Sequence, residues 1–153
     1  MKKLIVCRHG NYGDDKRLDA SGREQMRQLA SQLRLHLSGC AVRVLSSTAP
    51  RAVDSAETLI RALALDGLSD FELHPVLWSD EERRENLSAA LELVRTKFEG
   101  IDVLVLVTHF EYAEGFPSFF ARRVLDADIR HRNVAKGGAR VIDCIDKKEV
   151  ALS

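Results

Sequence analysis

The sequence has no excess of either charge: 23 lysines and arginines balance 23 aspartates and glutamates, for a formal net charge of +0. That removes the global attraction that draws a protein to nucleic acid or to an anionic membrane surface, and neither is expected as a partner. It leaves room for a local basic pocket. Long apolar runs are missing too. No stretch approaches the roughly 18 apolar residues of a membrane span. The run between Lys3 and Arg8 is too short for the apolar part of a signal peptide. Cysteine is scarce and odd in number, with Cys7, Cys40 and Cys144. Cys7 and Cys144 fall in apolar strand-like runs and Cys40 follows Gly39. Reduced core or near-core thiols in a cytoplasmic protein are therefore expected, rather than disulfides or a catalytic thiol. The five histidines show no zinc-like spacing, and no metal or other cofactor is expected. Repeats, low-complexity tracts and interdomain linkers are absent, so the 153 residues are expected to form one domain.

What is present alternates between two periods. Lys3–Cys7 reads as a buried strand. Asp19 is a suitable cap for a helix to about Ser38, with Met26, Leu29, Leu33 and Leu37 on one face and Gly39 ending it. Ala41–Leu45 is a second strand. Ser46-Ser47-Thr48 is read as the cap of a helix to about Ala64, with Pro50 in its first turn. Phe71–Leu77 is a short strand or extended piece, and the charged stretch Asp80–Asn86 leads into a helix from Leu87 to Phe98. Asp102–Val107 is the most apolar strand and is placed at the centre of a sheet. A helix from Tyr112 to Leu125 follows, then Ala139–Ile145 and Glu149–Leu152 as a hairpin around an Asp-Lys-Lys turn. Strand–helix alternation predicts an α/β protein, a three-layer α/β/α sandwich with a mainly parallel central sheet and a C-terminal hairpin.

In such sheets ligands bind at the C-terminal strand ends. The first strand runs into Arg8-His9-Gly10, the second into Ser46 to Arg51, and the central one into Thr108-His109. Two arginines and two histidines therefore project from one edge. Guanidinium forks bind phosphoryl oxygens, and an imidazole can act as base or nucleophile. His36 and His74 read as surface or boundary residues. Arg130-His131-Arg132 reads mainly as a solvated basic turn, with a substrate contact by His131 as the lesser reading. Lys16–Arg17 and Arg83–Arg84 read as solvated charge.

Four blocks carry a resemblance to the histidine phosphatase, or phosphoglycerate mutase-like, superfamily. They are Val6 to Gly10; Arg17 to Gly22 with Gln25 and Leu29; Ser46 to Ala52 with Ala56-Glu57-Thr58; and Leu106 to His109. They occur in the family's order and span most of the chain. The resemblance implies that His9 is a nucleophile that becomes phosphohistidine. Arg8, Arg51 and His109 would hold the phosphoryl group, with Gly10 and Asn11 among the substrate-binding positions. Flanking arginines would lower the pKa of His9 and keep it neutral for attack. Many family members carry a glutamate as general acid just after the third strand; here that place falls near Ser79. Asp80 is the first candidate for the acid, Glu81 the second and Glu111 the next. Phe110 replaces the glycine usual after the second histidine in mutase-type members, Tyr12 replaces a frequent threonine, and there is no room for a lid insertion between Arg51 and Trp78. These departures look most like the small phosphohistidine phosphatase branch. The implied substrate is a phosphorylated small molecule or a phosphohistidine protein. A phosphoglycerate mutase-like phosphotransferase and a non-catalytic phosphate-binding or scaffold protein are the alternatives.

Overall fold

The computed structural model describes residues 1–65 and 71–153. β1 (Lys3–Arg8) is followed by α1 (Ala20–Leu37), β2 (Val42–Ser46), α2 (Pro50–Leu63) and a two-residue β3 (Glu72–Leu73). A 3₁₀ turn at Pro75–Leu77 leads to α3 (Leu87–Arg95), β4 (Val103–Thr108) and α4 (Phe110–Phe120). A π turn at Ala121–Leu125 precedes β5 (Ala139–Asp143) and β6 (Lys148–Leu152). The strands form one sheet in the order β3-β2-β4-β1-β5-β6. The first four in sequence run parallel, and β5 and β6 are antiparallel. The expected mainly parallel sheet with a terminal hairpin is the one observed.

Strand alternation sorts side chains onto the two faces. Ile5, Cys7, Val44, Val105 and Val107 pack under α1 and α2, through residues such as Met26, Leu29, Leu33 and Leu59. Leu4, Val6, Leu45, Leu104 and Leu106 pack on the other face with Ala90 and Val94 of α3 and Tyr112, Phe116 and Phe120 of α4. All six residues of β4 are buried, as a strand covered on both faces requires. No helix among the described residues is long and apolar enough to cross a membrane.

Several boundaries differ from expectation, each for a local reason. The extended piece at Phe71–Leu77 holds only two strand residues, because Pro75 starts the 3₁₀ turn. α3 ends at Arg95, where the Thr96 hydroxyl turns back to donate to the Leu93 carbonyl at 2.7 Å. The last α-helix starts at Phe110 and gives way to the π turn after Phe120. Asp19 does cap α1, accepting from the Gly22 amide at 2.7 Å. The serines before α2 do not cap it: its cap position is Ala49, with no side-chain bond, and Ser47 is turned to another use described below.

β5 hides a buried charge. Arg140 is fully buried, and its Nε and Nη2 each donate to a Glu149 carboxylate oxygen at 2.8 Å. Its Nη1 donates to the Glu114 carbonyl at 2.5 Å, and Nη2 also reaches the Arg130 carbonyl. One guanidinium thus ties β6, α4 and the loop before β5 together. Removing one partner of a buried pair strands the other without solvent. Arg140→Ala is expected to cost about 3–5 kcal/mol in urea unfolding; a loss below about 1 kcal/mol would show that the pair holds nothing in place.

Candidate active site

Register brings the site together. β1 and β4 pair from Lys3 opposite Val103 to Arg8 opposite Thr108, so both strands end level. The His9 amide continues the ladder by donating to the Thr108 carbonyl at 3.0 Å, and the Ser47 amide donates to the Val107 carbonyl at 2.9 Å. His9, Ser47 and His109 therefore stand one residue beyond three adjacent strands. Arg51 reaches in from the first turn of α2.

The two imidazoles lie edge to face, 5.1 Å between ring centres, and both are buried. His9 Nδ1 is 2.8 Å from the Gly10 carbonyl, which can only accept. Nδ1 therefore carries the proton and Nε2 presents its lone pair to the cleft. Arg51 Nε donates to His9 Nε2 at 3.3 Å, and Arg51 Nη2 donates to His109 Nδ1 at 3.3 Å. That leaves the proton of His109 on Nε2, which donates to Ser47 Oγ at 2.8 Å. Ser47 Oγ also accepts from the Ala49 amide at 3.1 Å. Both Arg51 contacts are longer than ordinary N–H bonds, so they are weak and replaceable.

Burial pushes the His9 pKa down to about 4, with the charges of Arg51, Arg8 and Lys136 acting in the same direction and the bond to Gly10 opposing. Burial likewise pushes His109 down to about 2, helped by His9, Arg51 and Arg8. Both rings are neutral near neutral pH. Cys7, by contrast, is pushed up to about 12 by burial, which keeps it an inert thiol. Cys7, Cys40 and Cys144 are all free.

The cleft around these rings has a volume of about 330 Å³. Arg8, Arg51 and Lys136 bring positive charge to it, and Asp80, Glu81 and Glu111 line it as well. No carboxylate among the described residues lies within ion-pair distance of any of the three cations. Arg8 Nη1 donates to the Val134 carbonyl at 2.8 Å, and its guanidinium lies 4.8 Å over the Phe110 ring. Its Nε is buried with no hydrogen-bond partner. A buried donor left unmatched is costly.

Of the residues singled out in the sequence, Arg8, His9, Arg51, His109, Asp80, Glu81 and Glu111 all line this cleft. Gly10 and Asn11 do not. A side chain on Gly10 would meet the Gly22 backbone at 2.7 Å, so glycine is needed there for chain-to-chain packing. Its amide donates to Ser55 Oγ at 3.1 Å. The Asn11 amide donates to Gln25 Oε1 at 2.8 Å and its Nδ2 to Ser21 Oγ at 3.1 Å. His131 lines a neighbouring cavity instead, one that shares Phe110 and Glu111 with the cleft. Arg17 is not free charge: it makes a two-bond fork, at 2.8 and 2.6 Å, to the buried carboxylate of Asp54. Arg83 covers the Trp78 ring at 3.8 Å, and that indole stacks near His109 at 6.4 Å.

Asp80 is held in a way that suits a base better than an acid. Its carboxylate accepts from the amides of Glu82 and Arg83, each at 2.8 Å, and from Trp78 Nε1 at 3.0 Å. The Glu82 bond, with those from Arg83 and Trp78, lowers its pKa and disfavours the proton that a general acid must carry. Glu111 accepts a single bond, from Ser79 Oγ at 2.6 Å. Ser79, at the position where the resemblance places an acid, thus leads to the carboxyl group of Glu111.

No protein-family model matches the sequence, and no curated protein sequence matches it. Solved structures do match the fold. The protein histidine phosphatase SixA, complexed with tungstate, superimposes with a TM-score of 0.72 over 99% of this chain and 94% of its own, at 16% identity. The fold is that of the histidine phosphatases. A phosphoserine phosphatase from Entamoeba histolytica, in complex with 3-phosphoglyceric acid, aligns with a TM-score of 0.62 over 100% of this chain and 96% of its own, at 15% identity. A mycobacterial glucosyl-3-phosphoglycerate phosphatase bound to VO3 gives 0.62 over 93% and 92%, at 14% identity. Within this fold, the C-terminal strand edge is where β1 and β4 deliver the two histidines.

The lowered pKa values fix a sign for pH dependence. An unfolded histidine takes up its proton near pH 6.5, whereas folded His9 does so only near pH 4. The unfolded chain binds more protons between these values, so stability is full above about pH 6.5 and declines as pH falls towards 4. Carbon-13 or nitrogen-15 resonances of His9 should titrate near pH 4 in the anion-free protein, with Nδ1 protonated at pH 7. A midpoint at or above 6.5 would show that the ring is not kept neutral.

Proposed function

We propose that this chain is a phosphatase in which His9 Nε2 attacks phosphorus and carries the phosphoryl group as phosphohistidine. The observation that carries this reading is the outward lone pair of a neutral imidazole among unpaired cations at one strand edge. In the first step the Nε2 lone pair forms a bond to phosphorus while the bond from phosphorus to the leaving group breaks. Arg51 turns from the imidazoles to the phosphoryl oxygens, and its weak contacts make that exchange inexpensive in free energy. Arg8 lines the same cleft, and the charge spread over the oxygens is stabilised by both guanidiniums. His109 takes a proton on Nδ1 as the anion enters and becomes a further donor. In the second step water attacks phosphorus, the P–N bond breaks, and inorganic phosphate leaves with His9 neutral again.

The substrate class follows from the acid. Three hydrogen bonds keep Asp80 ionised, so the leaving group cannot rely on it for a proton. Glu81 and Glu111 are the remaining carboxyl groups on the cleft wall, and Glu111 accepts a bond from Ser79 Oγ. Leaving groups that need little protonation are favoured, and phosphohistidine is one. The protein histidine phosphatase SixA and the phosphoserine phosphatase among the similar structures support hydrolysis of phosphorylated histidine or of phosphomonoesters. The free thiols support a cytoplasmic location.

Two measurements test this. His9→Ala is expected to lose turnover of p-nitrophenyl phosphate while keeping a wild-type circular dichroism spectrum; retained turnover would overturn the role of His9. Across leaving groups of graded pKa, the wild type is expected to favour phosphohistidine and aryl phosphates over alkyl phosphates by about a hundredfold or more in kcat/KM, the range a well-placed acid would otherwise erase. Equal efficiency on alkyl phosphates would reveal a working acid, with Glu111→Gln the variant to identify it.

A further inference from the structure

Lys136 is half-buried and carries no sign in the sequence of belonging to the site. The loop on either side of it is stitched to the segment that bears His9. Before it, the Val134 carbonyl accepts from Arg8 Nη1 at 2.8 Å. After it, the Gly137 amide donates to the carbonyls of Arg8 and His9 at 3.2 and 3.0 Å, and the Gly138 carbonyl accepts from the Arg8 amide at 2.9 Å. Gly137 has φ +76°, and a side chain there would meet Gln25 Cβ at 2.6 Å. The backbone at 136 is therefore fixed over the end of β1, and a long side chain there reaches the cleft.

The Lys136 ammonium lies 4.9 Å from the centre of the Tyr12 ring. The same ring has the Arg51 guanidinium at 4.9 Å and the Lys16 ammonium at 5.9 Å, and it stands at 67° to the His9 ring, 5.4 Å between ring centres. No carboxylate among the described residues pairs with Lys136. Like charges are thus gathered on an aromatic ring whose quadrupole offsets only part of their repulsion. A charge-assisted bond to a phosphoryl oxygen is stronger than a contact with a ring face, so an anion in the cleft competes successfully for the ammonium.

Resting on the phosphate-site reading above, we propose that Lys136 is the third cation of the phosphate site, held on the face of Tyr12 when the cleft is empty of anion and moving onto a phosphoryl oxygen when substrate binds. Tyr12 is then a positioning residue: it keeps Lys136 and Arg51 beside His9 without supplying a negative charge that would compete with the phosphoryl group. The charge of Lys136 also helps to lower the His9 pKa.

The test is tungstate affinity of the full chain by isothermal titration calorimetry, at low and high salt, with the histidine resonances followed in the same samples. Lys136→Met and Lys136→Gln are each expected to bind tungstate about tenfold more weakly, the loss of one charge-assisted contact. Their affinity should also depend less steeply on salt, and the His9 midpoint should rise. Lys136→Arg is expected to restore most of the affinity, which a purely structural role for the loop would not predict. Wild-type affinity in both charge-removing variants, with an unchanged His9 midpoint, would overturn the role of Lys136 while leaving the phosphate site standing. Absence of tungstate binding by the wild type would overturn the phosphate site and the role of Lys136 together.

Discussion

The site depends on one guanidinium held between two neutral imidazoles. Arg51 donates one bond to His9 Nε2 and another to His109 Nδ1, both at 3.3 Å. Those bonds require both ring nitrogens to be bare, and burial makes them so. An arginine facing a carboxylate would be satisfied and would not release its partner. Facing two weak imidazole acceptors, it is available to the first anion that enters. Arg8, over the Phe110 ring, and Lys136, over the Tyr12 ring, likewise have no carboxylate in ion-pair contact among the described residues. Cations with no carboxylate in ion-pair contact among the described residues, next to a neutral imidazole, are the arrangement that phosphoryl transfer to nitrogen would require.

The fold supplies the precision. Three adjacent parallel strands, β1 and β4 ending level and β2 one residue short, set the spacing of His9, Ser47 and His109 to the pitch of a sheet. Ser47 bonds His109 Nε2 and so turns its other nitrogen to Arg51. Behind the cleft, Gly10 and Gly22 let the loop after β1 lie directly on α1. Arg17 and Asp54 join that loop to α2, and Arg140 anchors the loop before β5. Each cation-bearing segment is therefore braced by contacts outside the cleft, and the cations themselves are left free for ligand.

The sheet, its parallel order and the placing of Arg8, His9 and His109 at one edge were legible in the sequence because apolar strands end directly in them, with Arg51 following in the first turn of the helix after β2. Side chains whose partners come from distant segments were not. Glycine after a strand serves ligand approach or chain packing equally well in a sequence, and at Gly10 packing is what uses it. The bonds from Asn11 to Gln25 and Ser21 come from helix α1 and have no signal of their own in the sequence. Asp80 stands at a suitable place along the chain, but its three donors come from a turn whose shape the sequence does not specify. Arg140 sits in an apolar strand and finds its partner only when β6 folds back. Lys136, beside two glycines, reads as an ordinary turn residue, and only the stitching of its loop to β1 brings it to Tyr12.

The central claim is that the nitrogen of His9 facing the cleft, Nε2, is the atom that bonds phosphorus, because Nδ1 is committed to the Gly10 carbonyl. The direct measurement is phosphorus–nitrogen NMR of uniformly nitrogen-15-labelled protein after incubation with phosphoramidate, with the phosphorylated peptide located by mass spectrometry. The account predicts a single phosphohistidine at His9 with phosphorus coupled to Nε2. Phosphorus on Nδ1, on His109, or on any other side chain would contradict it.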